Sequence, residues 1–211
     1  MTTKKIYFVR HGETDSNVER YVPSKVESLN LNGFAQAELV ASRVESLDIQ
    51  KIYVSDFLRA EQTAEPIALL KNIVPNTAPI FGEVIEPSSL FNVSEEDERV
   101  LLHRKNRNAN VQNGAWRQED GENFEDIFTR VQQAKLLLEK DDAETILVVS
   151  HSFFMMCFAS AILLDAQAST NAWHNCASKL KISNTGITLF EYGEEKGWRL
   201  IMWNDHAHFA E

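Results

Sequence analysis

Three short strings carry residue types that could do chemistry together: Arg10-His11-Gly12, Ser55-Asp56 with Arg59 just beyond, and Ser150-His151-Ser152. Two guanidinium groups and two imidazoles drawn to one place make an anion pocket. A tetrahedral phosphoryl group suits it, because guanidinium forks hold oxygens bidentately. An imidazole among arginines has its proton affinity lowered, which leaves it neutral and nucleophilic near pH 7. Gly12 would let the chain turn sharply and let a phosphate approach the backbone closely. Thr14 and Asn17 would add neutral donors at the start of the next segment, where helix N-terminal amides also favour an anion. Each residue alone has a plainer reading. Arg59 could pair with Asp56 or Glu61 along a helix, and a histidine at a strand end, such as His151, is more often structural. Their joint placement after three separate apolar runs favours a site.

Those runs are Ile6-Tyr7-Phe8-Val9, Lys51-Ile52-Tyr53-Val54 and Thr145 to Val149, continuous enough to be strands covered on both faces. Helical patterns alternate with them: Asn30 to Leu47, Leu58 to Leu70, and the apolar stretch Phe153 to Leu164. A last pair of strand-like runs, Gly186 to Tyr192 and Trp198 to Trp203, flanks Gly193-Glu194-Glu195-Lys196-Gly197 and predicts a hairpin at one sheet edge. The order predicts an α/β fold, a mainly parallel sheet in a three-layer α/β/α sandwich with helices on both faces. In such sheets ligands bind beyond the carboxyl ends of the strands, where all three strings fall. The stretch Pro87 to Gly121 is polar and lacks a sheet-like run. It is expected to lie over the ligand end as a helical or irregular cover within a single domain spanning residues 1–211.

Composition narrows the function classes. Of the 211 residues, 44% are hydrophobic and 25% charged, so disorder and a coiled coil are not expected. No apolar run reaches the roughly 18 residues of a membrane span, and Met1-Thr2-Thr3-Lys4-Lys5 does not resemble a signal peptide. The expected setting is cytoplasmic, without a membrane. A net charge of −10 disfavours nucleic acid, yet arginines focused in a cleft can still attract a phosphorylated small molecule. Cys157 and Cys176 match no metal spacing and read as reduced thiols, a disulfide being the minor alternative. His206 and His208 sit two apart without a third ligand, which favours a structural role. No metal and no cofactor is expected. The acidic surface and edge hairpin permit a homodimer.

The string FVRHGETDSN resembles the signature of the histidine phosphatase superfamily, the group that includes cofactor-dependent phosphoglycerate mutases. The resemblance continues through LNLNGFAQA, with Asn30 as an equally good helix cap where Thr or Ser is usual, and through SDFLRAEQTA, SHS, NTGITLFEY and WNDHAHF. It implies a phosphoglycerate mutase-like fold. It implies His11 as the nucleophile that becomes phosphohistidine, Arg10, Arg59 and His151 as the groups around the phosphoryl oxygens, and Asn17 as a further hydrogen bond. A proton donor follows the third strand in the family. Some branches write it as Glu, three residues, then Pro-Ser, which Glu83-Val84-Ile85-Glu86-Pro87-Ser88 fits with Glu83 as donor. Glu86 is the rival, and both could be solvated loop carboxylates.

The expected function is a metal-independent phosphatase acting on a phosphomonoester of a small metabolite. A phosphoglycerate mutase is the alternative within enzymes, weakened because no Asn-Glu-Arg-type string of the mutase insertion is present. A non-catalytic phosphate-binding or regulatory protein is the alternative outside them. The basic group His103, Arg104, Lys105 and Arg107 in the cover reads as a solvated helix face more readily than as a contact to an anionic substrate. Trp116 could line the pocket or fill the core. Gly121-Glu122-Asn123-Phe124 reads as a helix start and Arg130 as structural.

Overall fold

The computed structural model describes residues 3–164 and 168–209. Within them the first apolar run forms β1 (Lys4–Arg10), followed by the short α1 (Asp15–Glu19) and by α2 (Leu31–Arg43). Asn30 caps α2, its side chain accepting from the Gly33 amide at 2.8 Å. The second run forms β2 (Lys51–Val54) and leads into α3 (Leu58–Lys71) and a two-residue strand, β3 (Asn76–Thr77). The cover contains α4 (Glu98–Ala109), and α5 (Phe124–Lys140) follows it. The third run is β4 (Thr145–Ser150), then α6 (Ser152–Leu163) and α7 (Thr170–Ala177). The chain closes with β5 (Ile187–Gly193) and β6 (Gly197–Asp205), a hairpin whose turn uses Gly197 at φ +64°.

The described strands form one sheet in the order β3-β2-β4-β1-β5-β6. The first four are parallel, and the hairpin adds antiparallel through β5 on β1, leaving β6 at the edge. Side chains alternate between faces. Ile6, Phe8, Ile146 and Val148 meet one buried layer built by α5, α6 and α7, while Tyr7, Val9, Leu147 and Val149 meet another built by α2 and α3. This is the expected mainly parallel sheet with helices on both faces.

Two helices go beyond the elements read from the sequence, one of them anticipated only by its start. The helix start at Gly121–Phe124 opens the 17-residue α5, capped by Asn123 and Asp126 in a reciprocal pair, with Phe124, Ile127, Val131, Ala134 and Leu138 buried at helical spacing. The other is α7, whose polar sequence holds Trp173 and Ala177 as its buried residues. The cover is helical in part, as expected. A small cluster of Val22, Leu90 and Val100 anchors it, and an isolated bridge joins Tyr21 to Ser94.

Register sets the site. Arg10 lies beside Ser150 on the neighbouring strand, the His11 amide donates to Ser150 O at 2.9 Å, and the Ser55 amide donates to Val149 O at 3.1 Å. The carboxyl ends of β1, β4 and β2 are therefore level and adjacent. Chain leaving β1 runs to α2 on one face, and chain leaving β4 runs to α6 on the other, so a crevice opens between the two strand ends.

Candidate active site

His11 follows β1 and is 4% exposed. Its Nδ1 lies 2.6 Å from its neighbour's carbonyl, Gly12 O, which can only accept, so Nδ1 carries the proton. Its Nε2 accepts from Arg59 Nε at 3.3 Å. Together these bonds hold a neutral imidazole with a lone pair on Nε2. Burial first, then the charges of Arg59 and Arg10, push its protonation well below the ordinary 6.5.

His151 caps the start of α6, fully buried, with its ring centroid 5.1 Å from that of His11. Its Nε2 meets Ser55 Oγ at 2.7 Å, and Ser55 Oγ also accepts from the Phe57 amide at 3.2 Å. With the Ser55 hydroxyl donating to Nε2, the His151 proton sits on Nδ1. That Nδ1 is buried without a partner. Burial, and then Arg59, also hold this histidine well below its usual protonation range.

The guanidinium groups are tied down from behind. Arg59 is 2% exposed and donates from Nη1 to Ser24 O at 2.9 Å. Arg10 donates from Nη1 to Ile182 O at 2.8 Å, while its Nε is buried with no partner. Burial brings the Arg10 pKa down to about 10, with Arg59 adding to the shift and Glu83 opposing it. Arg10 Nε, and His151 Nδ1 in that tautomer, are buried donors without a protein partner. A native interior rarely leaves such donors unpaired, and an oxyanion would satisfy both.

Glu83 follows a 3₁₀ turn at Pro79–Phe81, and its carboxylate accepts from the Phe153 and Phe154 amides at the start of α6, each at 3.0 Å, and from the Val84 amide at 2.9 Å. Arg130 holds this segment from below, donating from Nη1 to Gly82 O at 2.5 Å and from Nη2 to Glu83 O at 3.3 Å while pairing with Glu122 at 2.7 Å. The rival, Glu86, is occupied differently. It accepts from Arg107 Nη1 at 2.9 Å and meets His103 Nε2 at 2.8 Å. These partners outweigh burial and bring its pKa down to about 2, so it stays ionised. That ionised, doubly paired carboxylate is poorly suited to donating a proton.

Several expectations change. Thr14 is fully buried with its hydroxyl on Ser16 Oγ at 2.9 Å, so that side chain serves the loop and presents no donor to a ligand. Asn17 is one step removed from His11: its Oδ1 accepts from the Thr14 amide at 3.2 Å and from Asn184 Nδ2 at 2.9 Å, and Asn184 Nδ2 also donates to His11 O at 3.1 Å. Gly12 is required by packing against protein, because a Cβ there would sit 2.6 Å from Gly33 O in α2. Of the cover's basic group His103, Arg104, Lys105 and Arg107, Lys105 is exposed as a solvated face requires, but the other three are not. His103 is buried and stacked with Trp116 at 6.3 Å, and Arg104 and Arg107 line a cavity of about 380 Å³ together with Arg59 and Glu83. A second cavity of about 630 Å³ shares Phe57 and Glu83 with it. Asn184, Ser55 and the positioning function of Arg130 were not read from the sequence. The signal for Asn184 was available in its place at the mouth of β5, the strand paired to β1.

Among the described residues, no group of three or more His, Cys, Asp or Glu is arranged to hold a metal ion, and no helix is long and apolar enough to cross a membrane. His208 Nε2 meets Thr185 Oγ1 at 3.0 Å, and Cys157 and Cys176 are both free thiols.

Residues 6–206 match the model of the histidine phosphatase superfamily (branch 1). The chain belongs to that superfamily. Among curated histidine phosphatase relatives, probable phosphoglycerate mutases from Enterobacter sp. (strain 638) and Proteus mirabilis (strain HI4320) are 31% and 30% identical to this chain. The alignments cover 97% of this chain and 94% of the Enterobacter protein, and 98% of this chain and 95% of the Proteus protein. Among solved structures, YhfR of Bacillus stearothermophilus superposes with a TM-score of 0.79 at 21% identity, covering 97% of this chain and 98% of that one. A mycobacterial glucosyl-3-phosphoglycerate phosphatase bound to VO3 gives 0.76 at 21% identity, covering 95% and 98%. These structural likenesses show the histidine phosphatase fold.

Proposed function

We propose that this histidine phosphatase superfamily member hydrolyses phosphomonoesters of small metabolites through a phosphohistidine on His11, without a metal. The observation that carries the reading is the neutral His11, whose Nε2 lone pair faces the Arg59 guanidinium. In the first half-reaction Nε2 attacks phosphorus and the bond to the ester oxygen breaks. Charge on the equatorial oxygens is taken up by Arg10, Arg59 and the Nδ1–H of His151, with Arg59 Nε exchanging its bond to His11 for one to oxygen. The growing positive charge on the imidazole is steadied through Nδ1–H and Gly12 O. Glu83, carrying a proton, gives it to the leaving oxygen. In the second half-reaction water attacks the phosphorus of the phosphohistidine, its proton passes to Glu83, and phosphate leaves a neutral His11.

The experiment is hydrolysis of p-nitrophenyl phosphate in EDTA with vanadate as inhibitor. Wild-type protein is expected to turn over and to yield an acid-labile phosphoenzyme. His11→Ala should lose both while keeping its circular dichroism spectrum. Full activity in that variant, or a strict metal requirement, overturns the reading.

A mutase is the second reading. The relatives called probable phosphoglycerate mutases are nearly the same length as this chain, so chain length does not separate the two activities. A coupled assay with 3-phosphoglycerate and 2,3-bisphosphoglycerate decides it: isomerisation outpacing phosphate release would replace the phosphatase reading.

A further inference from the structure

The cavity of about 380 Å³ adjoins the phosphoryl cup through Arg59 and Glu83, and its charge pattern bears on which esters the site takes. That volume suits a small molecule. The apolar wall consists of Val22, Pro23, Phe57, Val84, Phe153 and Met156. The cover contributes two cations to the lining, Arg104 and Arg107, and both are already paired. Arg107 Nη1 is 2.9 Å from Glu86 Oε1, and Arg104 Nη2 is 2.7 Å from Glu95 Oε1. Glu86 is itself held by His103, and Glu95 also pairs with Arg20, whose side chain is 71% exposed. Away from the phosphoryl cup, the pocket therefore presents aromatic and aliphatic surface and two guanidinium groups each already engaged by a carboxylate.

We infer that Glu86 and Glu95 are specificity-determining residues that cancel the charge of Arg107 and Arg104, so that the pocket takes phosphomonoesters of neutral, apolar-faced alcohols and discriminates against leaving groups bearing a second anion. A carboxylate entering this space meets no free cation. To gain one it must displace Glu86 or Glu95, and the displaced carboxylate is then left poorly solvated. This inference rests on the phosphatase reading and narrows its substrate class. It also gives a physical reason against phosphoglycerate, whose carboxylate would require an uncommitted guanidinium.

The test compares benzyl phosphate with its 4-carboxy derivative, which have closely matched leaving oxygens and differ in one remote charge. For the wild-type chain kcat/KM is expected to favour the neutral ester by about tenfold or more. Glu86→Gln and Glu95→Gln each leave a guanidinium uncommitted and should shift the ratio toward the carboxylated ester by about fivefold or more. Glu95 is the more exposed position, so that variant carries the test if Glu86→Gln fails to fold. Equal or better turnover of the carboxylated ester by wild type, or ratios unchanged in the variants, overturns the inference while leaving the phosphatase reading intact. Cleavage of p-nitrophenyl phosphate but of neither benzyl ester also overturns it. Failure to hydrolyse any of the esters removes the phosphatase reading itself, and this inference with it.

Discussion

Arg59 Nε donates to His11 Nε2 across 3.3 Å, joining the second residue of α3 to the residue that follows β1, 48 positions earlier in the chain. The bond keeps the lone pair of the proposed nucleophile neutral and places a guanidinium where the phosphoryl oxygens would arrive. Arg59→Ala is expected to lower kcat/KM for p-nitrophenyl phosphate by about 10²- to 10³-fold. Arg59→Lys should recover only part of this, because an ammonium lacks the planar fork. Steady-state kinetics check it, and near wild-type activity in the alanine variant would remove Arg59 from the mechanism.

Acid should destabilise the protein through its two buried histidines. His11 and His151 are held well below 6.5 when folded, whereas in the unfolded chain both titrate near that value. Below pH 6.5 the unfolded state therefore binds more protons, and stability falls as pH is lowered toward the folded values. Each histidine contributes up to about 1.4 kcal/mol per pH unit in that window. Urea denaturation between about pH 6.5 and pH 5 should show a shallower loss in His151→Gln than in wild type. Identical slopes would mean that His151 is not kept neutral by the fold.

Glu83→Gln should slow turnover most for esters with poor leaving groups, because its proposed task is protonating the leaving oxygen. Arg130 holds the carbonyls of Gly82 and Glu83 and so places that carboxylate. Arg130→Ala is expected to lower kcat by about 10- to 100-fold with the same leaving-group dependence and little change in KM, and Arg130→Lys should restore part of it. If Glu86→Gln shows the leaving-group dependence and Glu83→Gln does not, the assignment of the acid moves to Glu86.

Gly12→Ala should cost about 1–3 kcal/mol, because its new Cβ meets backbone on the facing helix and nothing flexible can yield. The nearest atoms are Gly33 O at 2.6 Å and Gly33 Cα at 3.1 Å. An unchanged urea midpoint would show that the loop and α2 can separate without penalty.

Much of this protein was legible along the chain, for local reasons. Continuous apolar runs ending in Arg10-His11, Ser55 and Ser150-His151 read as strands buried on both faces, and parallel strands deliver their carboxyl ends to one edge. Asn30 announced α2, and the glycine-bounded turn announced the closing hairpin. What depends on partners distant in sequence was not legible. Glu83 and Glu86 are three residues apart and chemically alike. One is surrounded by amides at the start of α6, and the other is clamped by His103 and Arg107 from the cover. Thr14 looked like a donor and turned inward, and Asn184, which precedes the last strand pair, reached back to His11 O. Residue type and periodicity determined which side chains reach the sheet edge. Which of them accept, donate or neutralise was decided by three-dimensional packing, because a polar group's state depends on the dielectric and the charges around it.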